Sequence, residues 1–349
     1  MFLTDLLRVS GPSGVEHGAA EWLQQRWAPL VDEVGADALG NTWGIFRGAD
    51  APNAEGHRPL LAMGAHLDVI GLVVTRLLPG GFLRVAPIGG IDRRALLGQC
   101  VIVEGRRPVP AVVCTVPPHL TAAQERTRLP SFDDLALDTG LWRAELQGCV
   151  AVGDRIHFVV DPVELCDGRL VAPGLDNRAG VAALHEAVRQ LERIRLGWDV
   201  AVVANVQEEV GLRGIAAVSR RLAPDVVVIV DVGFGDQPGV PEHQRAIVGK
   251  GPVLAIGPSL HGPLTRGILR LARRLDMPIQ REAVAGASGT DAWALAAAGA
   301  PVALISIPLR SMHTPVEMVA LSDVAATGRL LVALAQEIGE VDRCQDLSP

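Results

Sequence analysis

Runs of small and β-branched apolar residues punctuate the chain, and the longest lack the alternation of a half-buried strand. Residues 200–206 (VAVVANV) and 226–230 (VVVIV) are apolar on both faces. That pattern marks strands inside a sheet covered by helices on both sides. Residues 60–65, 69–75 and 301–307 are further apolar runs. Between the runs the period changes to that of a helix, over residues 177–194, 212–222, 263–275, 291–298 and 322–338. Near the start, residues 16–27 place Ala19, Trp22, Leu23 and Trp27 on one face. Ser322, followed by apolar residues from Val324 onward, predicts a helix cap. Strand and helix alternate, so this part predicts an α/β fold, a mostly parallel sheet covered by helices on both faces.

Residues 76–163 have a different texture, rich in Gly and Pro, with short runs at 82–86, 100–103, 110–114 and 155–160. Short strands at this spacing predict a small β-barrel or sandwich inserted into the α/β domain. The division expected is residues 1–75 and 164–349 for the catalytic α/β domain and 76–163 for the β-rich insert. The insert looks too small to enclose a substantial core of its own, which makes a partner surface its simplest use. Residues 117–132 (PPHLTAAQERTRLPSF) follow neither period and are expected to be a mobile loop.

Composition narrows the function. Hydrophobic residues make up 49 % and charged residues 20 % of the 349 positions, the balance of a soluble globular protein. A net charge of −7 argues against nucleic acid as a partner, and 3 % aromatics with no tyrosine argue against stacking platforms for bases or sugars. The five cysteines, Cys100, Cys114, Cys149, Cys166 and Cys344, form no CxxC pair and read as reduced thiols in a cytoplasmic protein. Gly299 and Pro301 split the charge-free run 292–309 and Pro308 closes it, so a helix followed by a buried strand is expected there, not a membrane span.

Five segments carry the candidate chemistry: Ala65-His66-Leu67-Asp68, Leu175-Asp176-Asn177-Arg178, Gln207-Glu208-Glu209-Val210, Val230-Asp231-Val232 and Met312-His313-Thr314. Imidazole and carboxylate suit zinc and its divalent neighbours. A centre with two metals needs a carboxylate to bridge them, further ligands on each and a spare carboxylate as base, and this inventory supplies all of these. His66 and Asp68 share a strand face, so Asp68 can bond one imidazole nitrogen while the other faces a metal. Asp176 follows a Pro-Gly break and precedes a helix, where an N-cap is the competing reading. Asp231 ends an apolar strand interior, where a bare carboxylate is too costly to bury. Glu208 and Glu209 repel one another at a strand end, and a divalent cation removes that conflict, one coordinating and its neighbour accepting a proton.

The same segments, with GPSGVE, DALGN, GAHLDVIG, PIGGIDRRALLGQ, PPHL, GLDNRAG, QEEVGLRG, GKGP, GTDA and HTPVEM in that order, resemble the MH-clan dinuclear zinc aminopeptidases. Within that clan the likeness is to metallopeptidase family 42, the glutamyl and tetrahedral-shell (TET) aminopeptidases. The resemblance implies His66 and Asp231 on one metal, Glu209 and His313 on the other, Asp176 bridging, Glu208 as general base and Asp68 orienting His66. It implies two divalent ions per subunit, zinc first, with cobalt or manganese as alternatives, and removal of N-terminal residues from peptides. It further implies dimers assembled into a twelve-subunit tetrahedral shell. Val69, Pro173 and Ser311 depart from the family pattern, which commonly has a polar residue, a lysine and a tyrosine there. An amidase or deacylase on small N-acyl compounds would use the same centre. A glycosidase would not, since its two carboxylates flank the sugar roughly 5 Å or more apart and adjacent glutamates cannot.

Overall fold

A computed structural model of the chain describes residues 1–50, 52, 56–120, 128–286 and 288–343. Its centre is an 11-stranded sheet. Four strands in the middle, Asp199–Asn205, Leu60–His66, Val226–Phe234 and Val302–Arg310, lie side by side in that order and run parallel. Antiparallel strands flank them: Glu33–Ala36 and Thr42–Phe46 on one side, Met318–Ala320, Arg169–Val171 and Val163–Leu165 on the other. Every residue of Asp199–Asn205 is buried, as expected for a strand apolar on both faces.

The two faces fill two cores. Val200, Val202 and Ala204 join Val228 and Val230 under the helices His17–Trp27, Leu175–Leu191 and Leu321–Arg343. Ala201 and Val203 join Val227 and Ile229 under Arg213–Leu222 and Asp291–Ala297. This division follows the two-residue period of a strand. The last helix begins at Leu321, so Ser322 lies inside its first turn and does not cap it. The expected helix-then-strand reading of 292–309 is met by Asp291–Ala297 and Val302–Arg310. No helix among the described residues is long and apolar enough to cross a membrane.

Between two strands of the sheet the chain leaves to form a closed six-stranded barrel of Gly71–Leu77, Phe82–Ile88, Leu135–Asp138, Pro108–Thr115, Cys100–Glu104 and Arg155–Phe158. Along Pro108–Thr115, Val109, Ala111 and Val113 point inward while Pro108, Pro110 and Val112 are exposed. The barrel begins at Gly71, ahead of the expected boundary at 76, and the expectation that the insert lacks a substantial core is corrected here. Leu72, Val74, Leu83, Val85, Val101, Val103, Leu135, Leu137 and Ile156 pack into a cluster separate from those of the sheet. Barrel closure achieves this, because it turns one face of every short strand inward. The expected mobile loop at 117–132 lies in part, at 121–127, outside the described residues, as does Cys344; the other four cysteines are free thiols.

Candidate metal centre

All five segments converge at the carboxyl ends of the parallel strands, where open α/β sheets bind ligands. His66 is the last residue of its strand, Asp231 lies in Val226–Phe234, and Glu208 and Glu209 follow Asp199–Asn205. His313 lies just beyond Val302–Arg310, at a positive φ of 60°. Asp176 enters from the start of the helix Leu175–Leu191.

Asp176 does not act as the cap of that helix. Its backbone is extended (φ −80°, ψ 106°), and the Asn177 side chain takes over, Oδ1 accepting the Gly180 N–H at 3.0 Å. Asn177 Nδ2 donates to the Val230 carbonyl at 2.8 Å, tying the helix start to the strand that carries Asp231. The Asp176 carboxylate is thereby left free to point into the centre.

There its two oxygens face two imidazoles. Asp176 Oδ1 is 3.2 Å from His66 Nε2 and Oδ2 is 3.4 Å from His313 Nε2. Asp231 Oδ1 stands 3.6 Å and Glu208 Oε2 3.9 Å from His66 Nε2, and Glu209 Oε1 is 3.7 Å from His313 Nε2. The donors fall into two groups, His66, Glu208 and Asp231, and Asp176, Glu209 and His313. Ligand atoms about 2.0–2.2 Å from a tetrahedral zinc stand about 3.3–3.6 Å from each other. Asp231 to His66 at 3.6 Å and Asp176 to His313 at 3.4 Å match that span, Glu209 to His313 at 3.7 Å lies just beyond it, and Glu208 at 3.9 Å lies farthest out.

The electrostatics point the same way. Burial pushes the Glu208 carboxyl up to about 9, helped by the nearby Asp231 and Asp291. Burial, then Asp176, raises Glu209 to about 8. Asp176 is held well below the usual range because bonds from His313 and His66 outweigh its burial, and the Asp176 bond in turn raises His313 to about 9. Such a packed set of acids without a cation must keep protons, and divalent cations would displace them.

The expected bond between the Asp68 side chain and the His66 ring is replaced by one to the Asp68 backbone carbonyl. His66 Nδ1 is closer to the Asp68 carbonyl oxygen, at 3.1 Å, than to its carboxylate, at 3.6 Å. The Asp68 carboxylate accepts the N–H of Glu208 (3.1 Å), the N–H of Glu209 (3.2 Å) and the Ser13 hydroxyl (2.6 Å). It therefore holds the turn on which both glutamates are carried. Glu16 supports the same turn through Gln207, whose N–H it accepts at 3.2 Å and whose φ is 59°.

The barrel closes one side of the centre. A Cβ on Gly89 would lie 2.9 Å from Glu209 Oε2 and one on Gly90 2.7 Å from His313 Nδ1, so the PIGG segment needs glycine there. Sequence reasoning assigned no role to Ser13, Glu16, Gly90, Asp291 or Glu317. The motifs GPSGVE, PIGG, GTDA and HTPVEM contain them, but their partners are backbone amides or side chains of remote segments. Asp291 is buried, bonded through Oδ2 to Asn205 Nδ2 at 2.6 Å, and its carboxyl is raised by burial to about 7. Arg310 turns away to Asp236. Val69 and Pro173, two of the departures from the family pattern, line one small cavity between sheet and barrel with Gly174 and Arg178.

Comparison with known proteins identifies the family to which this fold belongs. Residues 50–330 match the model of the M42 glutamyl aminopeptidases. The chain belongs to that family. A lysyl aminopeptidase of Pyrococcus furiosus is 34 % identical over 352 residues, 97 % of this chain and 96 % of the relative. A TET aminopeptidase from a Thaumarchaeota archaeon of marine sediment superposes with a TM-score of 0.90 at 29 % identity, covering 98 % of this chain and 97 % of its own. The Pyrococcus horikoshii TET1 peptidase, described as assembling into a tetrahedron or a large octahedral shell, has a TM-score of 0.83 at 29 % identity, covering 96 % and 98 %.

Proposed function

We propose that this M42 aminopeptidase holds two divalent ions at the convergence of Asp176 with His66 and His313, and releases N-terminal residues from peptides there. The observation that carries the reading is the Asp176 carboxylate, each oxygen of which faces a different imidazole. In the proposed assignment His66 and Asp231 hold one ion, Glu209 and His313 the other, and Asp176 bridges. Zinc suits the donor set first, with cobalt or manganese as alternatives. Bound metals would polarise the scissile carbonyl and supply an acidic water.

The chain's own residues do the rest. Glu208 takes the proton of the attacking water and returns it to the leaving amine, a role that needs a carboxylate at the edge of the ligand set. Its Oε2 is the farthest of the three carboxylate oxygens facing His66, which supports base over ligand. Asp68 keeps Glu208 aimed by holding its peptide N–H. A free α-amine would be held beside the second ion and its neighbouring carboxylates, which would favour chain ends over internal bonds and over N-acylated amides. A glycosidase reading fails on geometry, because Glu208 and Glu209 share one turn and cannot flank a sugar.

For the quaternary level the proposal is that the insert, residues 76–163, pairs chains into dimers and that dimers build a tetrahedral dodecamer. Val112, Val116, Trp142, Val152 and Val159 are exposed on and around the barrel, apolar surface of the kind that interfaces use. A cytoplasmic setting rests on the unpaired cysteines. The test is a panel of aminoacyl chromogenic substrates, free-amine and N-acylated, against protein stripped and reloaded with zinc, cobalt or manganese. Release from free-amine substrates alone, only in reloaded protein, is expected. Turnover of the N-acylated set would favour the deacylase instead.

A further inference from the structure

Among the buried carboxylates outside the proposed donor set, Glu317 is fully buried and has both of its oxygens occupied. Oε2 accepts the peptide N–H of Asp176 at 3.1 Å, and Oε1 accepts the peptide N–H of His313 at 2.9 Å. One side chain thus joins two segments that reach the centre from opposite parts of the sequence. Neither segment is held by regular structure at that point. Asp176 is extended although it lies within the first turn of its helix, and His313 adopts the left-handed region, which a residue with a Cβ occupies only when its surroundings hold it there.

Glu317 is itself well anchored. Its carbonyl oxygen accepts the Ala172 N–H at 3.0 Å, and Met318, the next residue, begins the strand Met318–Ala320. The His313 carbonyl in turn accepts the Asp92 N–H of the barrel's loop at 3.1 Å. With both oxygens turned to amides, Glu317 has none directed at the donor groups, and it belongs to neither of them.

We propose that Glu317 is a positioning residue for the half of the centre made by Asp176, Glu209 and His313. It acts as a two-pronged acceptor that fixes the spacing of the bridging carboxylate and the imidazole before an ion arrives. This rests on reading Asp176 and His313 as metal ligands. The chemistry separates it from a glutamate that merely fills space. Glutamine has the same shape but presents an amide N–H₂ where one carboxylate oxygen stood, so a donor meets either the Asp176 or the His313 N–H. One of the two segments then loses its acceptor, and the imidazole or the bridging carboxylate drifts.

The experiment is competition of zinc between a chromophoric chelator and metal-free protein, for the wild type and Glu317→Gln. The wild type is expected to take up two ions. Glu317→Gln is expected to bind the ion held by Glu209 and His313 at least about tenfold more weakly, the scale seen when partners of metal ligands are removed, and to weaken the other ion as well if it is the bridging Asp176 that loses its acceptor. Two ions bound by Glu317→Gln with wild-type affinities would overturn the proposal. Amide hydrogen exchange of the wild-type, metal-free protein gives a second judgement that needs no variant to fold. The N–H groups of Asp176 and His313 should exchange slowly, and rapid exchange of either overturns it. A wild type that takes up no divalent ion would defeat the functional reading instead, while the exchange measurement would still judge Glu317.

Discussion

Replacing Asp68 by alanine removes the acceptor on which the Glu208–Glu209 turn hangs. Three donors lose their partner at once: the N–H groups of Glu208 and Glu209 and the Ser13 hydroxyl. Asp68 is 0 % exposed, so water reaches the vacated space only by entering a newly made cavity. Each buried donor left without a partner costs about 1–3 kcal/mol. Allowing for one water to satisfy part of the set, the loss should be about 3–5 kcal/mol. An asparagine side chain would keep one acceptor and oppose the other N–H with a donor, so Asp68→Asn should fall between alanine and wild type, at about 1–3 kcal/mol. Urea unfolding of metal-free protein measures this without interference from bound ions. Catalysis should suffer more than stability, because a turn that relaxes by about 1 Å misplaces the proposed base and can cost about 100-fold in rate. A loss below about 1 kcal/mol for Asp68→Ala, with turnover unchanged, would refute the claim that this carboxylate carries the turn.

Gly90→Ala should damage the second half of the centre with little effect on the barrel, since its Cβ would stand 2.7 Å from His313 Nδ1; metal counting by elemental analysis should find loss of one ion, and two retained ions would contradict the packing argument. The metal-free protein should lose stability as pH rises from about 6 to 9. Glu208 and Glu209, raised to about 9 and 8 by burial, and His313, raised to about 9 by Asp176, all keep protons in the folded state that the unfolded chain releases at lower pH. The folded state then binds more protons than the unfolded one in this window, so stability falls with rising pH. Zinc should abolish or reverse that slope in thermal unfolding, and a rising slope without metal would show that the acids are not packed together as described.

Most of the architecture was legible in the chain because burial on both faces writes itself into composition. Residues 200–206 and 226–230 read as interior strands, and strands run over Asp199–Asn205 and Val226–Phe234. The convergence of the candidate donors was legible for a related reason: a polar side chain at the end of such a strand stands out against its surroundings. What stayed hidden depends on contacts between remote segments. Asn177 displaces Asp176 as the helix cap because Val230 offers its side chain a carbonyl, which no local pattern reveals. Asp68 looked like a partner of His66 because the two are neighbours in sequence, yet its carboxylate serves amides about 140 residues away. The barrel's core was underestimated because short strands disclose an inward face only once the sheet closes.

The division of labour between Glu208 and its neighbours is the central claim, and metal content measured together with turnover in Glu208→Gln tests it most directly. The variant should keep two divalent ions per chain while its turnover of free-amine aminoacyl substrates falls by roughly 100-fold or more. Loss of a metal along with the activity would make Glu208 a ligand, and near-normal turnover with both ions in place would remove it from the chemistry altogether.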